Sequence, residues 1–119
     1  MPFQYILANL LAETGAVGVL FLDETGETVD VACSDFTPYE MRVLGAYLGI
    51  YLRQLGGFLA KSALGAPRLV HVEKAKLHIY AIPLPEDYYL VLVQRRPNLV
   101  GKAFLRLQRA ADELSRALF

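Results

Sequence analysis

Very few residues of this chain have the type and the spacing to do chemistry. His71 and His78 are the only histidines. They fall on two different expected strands with Glu73 as the one nearby acid, and no Cys or His recurs at metal-ligand spacing. They read as strand-surface side chains. Cys33 is the only cysteine. It has no recognisable base partner, so it reads as a buried or edge thiol and not a nucleophile. Arg53 interrupts a long apolar stretch. A guanidinium can neutralise charge on a transferring phosphoryl group, but a solvated or interface arginine is the simpler reading. No Gly-rich phosphate loop followed by Lys-Ser/Thr is present, which argues against a nucleotide hydrolase. Lys74, Lys76, Arg95 and Arg96 read as a solvated rim that resists edge aggregation. The expectation is a protein with no catalytic group, metal or cofactor of its own, which works by binding.

The surface for binding is written in the stretch from Tyr39 to Leu64. It reads as one long helix, apolar nearly all the way round, with no charge from Val43 to Leu52. An ordinary surface helix has one apolar stripe. Gly45, Gly49, Gly56 and Gly57 each disfavour a helix by about 1 kcal/mol relative to Ala. Packing on more than one side offsets that cost. The domain's own sheet supplies one side, and a second protein surface is the simplest source of the other.

Composition agrees. The chain of 119 residues is 55% hydrophobic with a formal net charge of +0. That length fits a single domain spanning 1–119 with a substantial core. Zero net charge argues against nucleic acid as the main partner. The single cysteine fits a reducing cytosol, and a cytoplasmic location is expected. The N-terminal apolar run lacks a basic start and is broken by Gln4, Asn9 and Glu13, so no signal peptide is expected. Arg53 and Gln54 make the long helix a poor membrane span.

The elements that position this helix follow from periodicity. Phe3 to Glu13 carries Phe3, Ile6, Leu7, Leu10 and Leu11 at helical spacing. Ala16 to Leu22 is unbroken apolar, a strand buried on both faces. Asp23 to Gly26 turns, with Gly26 suited to a left-handed position. Glu27 to Cys33 alternates, with Val29, Val31 and Cys33 on one face, and reads as an edge strand. Thr37, Pro38 and Glu40 form a capping box with Pro at the first helical position, and Phe36 and Met41 a hydrophobic staple. Gly65-Ala66-Pro67 is expected to stop the long helix. Arg68 to Lys74 alternates and reads as a second edge. Leu77 to Leu84 is a strand, Pro83 to Asp87 a turn, and Tyr88 to Val93 a central strand. Pro97-Asn98 caps a last helix to Leu118, with Val100, Phe104, Leu107, Ala111, Leu114 and Leu118 inward. The order is αββαβββα. The expected fold is α+β: one five-stranded, mostly antiparallel sheet ordered 2-1-5-4-3, with the long helix on one face and the terminal helices on the other.

On a helical wheel, Met41, Leu44, Leu48, Leu52, Leu55 and Leu59 face the sheet. Beside them lies a small-residue stripe of Gly45, Gly49, Gly56, Ala60 and Ala63. It suits close approach of a second helix, or of the domain's own sheet. Ala46, Ile50, Arg53, Gly57 and Lys61 point outward, flanked by Tyr47 and Gln54, and form a partner-binding surface.

The run from Gly15 to Asp23 leading into Gly26, the long second helix, and Leu90-Val91-Leu92-Val93 leading to Asn98-Leu99-Val100-Gly101 together resemble the roadblock family (dynein light-chain type). That family includes bacterial gliding and polarity regulators of Ras-like GTPases. The resemblance implies a homodimer in which second helices pair antiparallel and third strands join edge to edge. This places Gly45, Gly49, Gly56, Ala60, Arg68, Val70 and Val72 at the dimer interface. It also implies that Ala46, Tyr47, Ile50, Arg53, Gly57 and Lys61 form a platform for a Ras-like small GTPase. The alternative is a small-molecule sensor with a pocket between helix and sheet, built from Tyr5, Tyr47, Tyr51 and Tyr80.

Overall fold

The computed structural model of the chain describes residues 2–63, 67–95 and 100–119. Helix α1 spans Pro2–Thr14, and strands β1 Gly18–Leu22 and β2 Thr28–Cys33 follow as a hairpin. Helix α2 spans Pro38–Ala60. Strands β3 Val70–Glu73, β4 His78–Pro83 and β5 Tyr89–Gln94 complete the sheet, and α3 spans Val100–Leu118. The strand order is β2-β1-β5-β4-β3, with every neighbouring pair antiparallel. The two unbroken apolar runs are central, and the two alternating ones are the edges, as hydrophobic patterning requires.

Each face of the sheet has its own core. Phe3, Leu7, Leu10, Phe21, Leu92, Leu107 and Leu114 pack between the sheet and the terminal helices. Leu20, Leu22, Met41, Leu48, Leu52, Val91 and Val93 pack beneath α2.

Three local features depart from the simple pattern. In β2 the register shifts: Phe21 pairs with Asp30, but Leu22 pairs with Thr28. Val29 is the extra residue of a bulge, which bends the strand and leaves Val29 42% exposed instead of inward with Val31 and Cys33. Helix α2 ends at Ala60, not at Leu64. The Lys61 amide donates to the Phe58 carbonyl at 3.2 Å, and the Ser62 amide and hydroxyl both donate to the Leu59 carbonyl. These tight bonds satisfy the last carbonyls and close the helix early. Leu64, Gly65 and Ala66, and the expected cap at Pro97-Asn98, lie outside the described residues. In the β4–β5 turn, Glu86 and Asp87 both take left-handed φ values of 62° and 63°, which non-glycine residues rarely adopt.

Candidate functional site

The site is built on α2, whose start is fixed by the capping box. The Glu40 amide donates to Thr37 Oγ1 at 3.1 Å, and the Thr37 amide donates to Glu40 Oε1 at 3.0 Å. Phe36 packs on the cluster that buries Met41, the arrangement of a staple. These contacts fix the rotation of the helix and therefore which side chains each flank presents.

The inner flank carries Met41, Leu48 and Leu52, all buried. Leu44, Leu55 and Leu59, expected there too, are only half-buried. The flank towards the hairpin carries Gly45 and Gly49, both buried. A Cβ at Gly45 would lie 3.1 Å from the Leu20 and Leu22 side chains, and one at Gly49 would lie 2.7 Å from the Gly26 Cα. The close approach that these glycines serve is therefore between α2 and the β1–β2 hairpin of the same chain. Of the two approaches that the small-residue stripe suits, the one to the domain's own sheet is thus present at Gly45 and Gly49. Gly56 differs, since a Cβ there would meet nothing within 4 Å. The Ala60 side chain lies outside the described residues.

The opposite flank holds what the wheel did not single out. Helix α2 lies over β1 and β2, so the face of the sheet towards β3 stays open beside it. An apolar groove of about 860 Å³ runs there between the helix and β3. Tyr39, Val43, Tyr47, Tyr51 and Leu55 line one wall, and Val70, Val72, Leu77 and Ile79 the other. Tyr47 is 66% exposed and Tyr51 68%, so the groove opens on the surface. Tyr47 thus belongs to the groove, not to the outward row. The sequence signal was available: Leu44, Tyr47, Tyr51 and Phe58 fall at the 3-4-7 spacing of a helix-pairing seam. Val70 and Val72 are half-buried on β3, and Arg68 is exposed just before it. β3 is a free sheet edge among the described residues.

Ala46, Ile50, Arg53, Gly57 and Lys61 are all exposed along the outward row. Arg53 is anchored: its Nη1 donates to the Thr25 carbonyl at 3.2 Å. That turn is itself hydrogen-bonded internally. Asp23 Oδ1 accepts from the Thr25 amide at 2.9 Å, the Thr25 hydroxyl at 2.6 Å and the Glu27 amide at 3.0 Å. Burial alone would raise the Asp23 carboxyl, but the Thr25 hydroxyl and then the surrounding backbone amides outweigh it. They hold it below its ordinary 3.8.

The remaining residues singled out from sequence are dispersed. The imagined tyrosine pocket does not form: Tyr80 is buried on the opposite face, and Tyr5 is exposed on α1. Cys33 is a half-buried free thiol on β2. Lys74 lines the groove. Arg95 is no free rim charge, because it pairs with Asp35 at 3.2 Å and lies over the Phe36 ring; Arg96 lies outside the described residues. Among the described residues no group of three His, Cys, Asp or Glu is placed to hold a metal, and no helix is long and apolar enough to cross a membrane.

No protein-family model and no curated protein matches the sequence. Solved structures do match. Myxococcus xanthus MglB superposes with a TM-score of 0.88 at 19% identity, covering 98% of this chain and 94% of that one. An MglB with a tetrameric arrangement gives 0.83 at 23% identity, covering 97% and 86%. A Roadblock/LC7 domain from Streptomyces avermitilis gives 0.82 at 12% identity, covering 96% and 95%. The chain therefore has the fold of the roadblock/LC7 proteins.

Proposed function

We propose that this chain is a homodimeric regulator or scaffold whose paired α2 helices form a platform for a Ras-like small GTPase. The observation that carries the proposal is the half-covered sheet. Helix α2 leaves an apolar groove between Tyr47 and Tyr51 on one side and Val70 and Val72 on the other, next to a free strand edge. A second copy related by a two-fold axis fills both at once: its α2 lies against the aromatic seam, and its β3 extends the sheet. The outward row of Ala46, Ile50, Arg53, Gly57 and Lys61 then remains free for the GTPase. The likeness to MglB, one structure of which is tetrameric, supports assembly, and the roadblock resemblance supports the partner class. No catalytic group of this chain takes part in the proposal, and the site of action is the cytoplasm.

Two measurements test it. Sedimentation at micromolar concentration should give a dimer, and Tyr51→Lys should give a folded monomer. Calorimetry with purified Ras-like GTPases of the same genome, loaded with GDP or a non-hydrolysable GTP analogue, should show binding of one form. A dimer that binds neither form removes the GTPase reading. The sensor reading is favoured by one observation, since the groove volume lies within the range of small-molecule sites. A wild-type monomer that takes a lipophilic fluorescent probe into the groove would decide for it.

A further inference from the structure

We propose that His71 and His78 form a proton-operated latch on β3, the strand that carries the dimer edge. The proposal rests on the dimer reading above. The chain has two histidines and folds them against each other. His71 Nε2 lies 3.2 Å from His78 Nδ1. His78 is buried on β4, while His71 is exposed on β3, with its ring flat on Tyr80 at a centroid distance of 4.4 Å and an interplanar angle of 15°. Strand β3 is four residues long and, among the described residues, pairs with β4 alone. The same four residues supply Val70 and Val72 to the groove wall. The contact between the two rings thus fastens the piece of backbone that the second copy would use.

One hydrogen bond between two imidazoles tolerates two of three protonation states. When both rings are neutral, an N–H of one donates to the bare nitrogen of the other. After one proton is added the bond becomes charge-assisted and stronger. After the second, both facing nitrogens carry hydrogens, no acceptor is left, and two like charges meet. The surroundings are mixed. Glu73 is the cross-strand partner of His78, while Lys74 and Lys76 add positive charge in the β3–β4 turn. Tyr80 carries a buried hydroxyl with no hydrogen-bond partner among the described residues. From β5, Gln94 faces His78 and donates to the Thr14 carbonyl of α1 at 3.3 Å. Glu13 of α1 and Arg106 of α3 are paired with each other at 2.6 Å. Uptake of the second proton on acidification therefore converts the latch into a repulsive contact. It loosens β3 and withdraws the sheet edge and groove wall from the second copy.

The test uses the full chain at pH 7.5 and at pH 4.5, where the second proton is taken up. The dimer dissociation constant from sedimentation equilibrium should rise roughly tenfold at the lower pH, the size expected of two unit charges about 3 Å apart in a water-like dielectric. Amide exchange of Val70 and Val72, corrected for its intrinsic pH dependence and referenced to β5, should accelerate in parallel. His71→Phe keeps a ring on Tyr80 and should abolish both effects. A dimer whose dissociation constant and β3 exchange are the same at both pH values overturns the latch and leaves the dimer reading standing. A pH dependence that persists in His71→Phe also overturns the latch. A monomer at both pH values removes the dimer reading, and the wild-type exchange data then decide on the latch alone.

Discussion

The backbone of Gly49 on α2 meets the backbone of Gly26 in the β1–β2 turn, so closely that a Cβ on Gly49 would fall 2.7 Å from the Gly26 Cα. Gly26 holds its own side of the contact with a left-handed φ of 88°. Neither partner is the movable end of a side chain, so an added methyl forces helix and turn apart. Gly49→Ala should destabilise the fold by about 1–3 kcal/mol, the usual cost of overpacking, read from the shift in urea midpoint. An unchanged midpoint would mean that helix and hairpin can separate freely.

Thr37→Ala should cost about 0.5–2 kcal/mol through loss of the helix cap. Both bonds of the capping box depend on Thr37 and Glu40, so Glu40→Ala should give a smaller loss in the same direction. Denaturant unfolding of the two variants beside wild type measures it.

The Asp23 carboxylate is stabilised by its turn, and its folded pKa lies below the ordinary 3.8. A depressed carboxylate contributes stability that is fully present above the unfolded pKa. That stability is lost as pH falls through the folded value. Wild type should therefore lose more stability than Asp23→Asn on acidification from about pH 5 to pH 2. Parallel losses in the two proteins would show that the turn does not discriminate between charge states.

Ile50 lies on the outward row and is 51% exposed. Ile50→Asp should abolish GTPase binding by placing an unpaired charge in the interface, while dimer and fold persist. Arg53 is already engaged with Thr25, so Arg53→Ala should weaken binding modestly. It should not lower single-turnover hydrolysis in the saturated complex by the roughly 10³-fold or more expected for an arginine finger. A collapse of rate with binding intact would make Arg53 a catalytic residue.

The strand order was legible because each strand's pattern states how many of its faces are covered. Ala16 to Leu22 and Tyr88 to Val93 are apolar throughout and had to be central, while Glu27 to Cys33 and Arg68 to Lys74 alternate and had to be edges. The start of α2 was equally plain, since Thr37, Pro38, Glu40 and the Phe36–Met41 pair all mark the same point. The use of Gly45 and Gly49 was not legible. A small-residue stripe says that something comes close, not whether it belongs to the same chain. The groove was hidden for a related reason: it exists because α2 is displaced towards β1 and β2, and lateral placement on a sheet leaves no trace in helical periodicity. The Val29 bulge and the early close of α2 at Lys61 and Ser62 arise from single hydrogen bonds and register shifts, which patterning over a window averages away.

The central pairing of β1 with β5 sets a timetable for synthesis. Gly18 pairs with Val93, so β1 must wait for a strand made near the far end of the chain. At roughly 5–20 residues per second, the β1–β2 hairpin and α2 emerge from the ribosome several seconds before β5 can join them. Throughout that interval β1 presents one open edge. The nascent chain is therefore most vulnerable to wrong pairing between the appearance of Leu22 and that of Gln94, and a chaperone would have to guard it in that window.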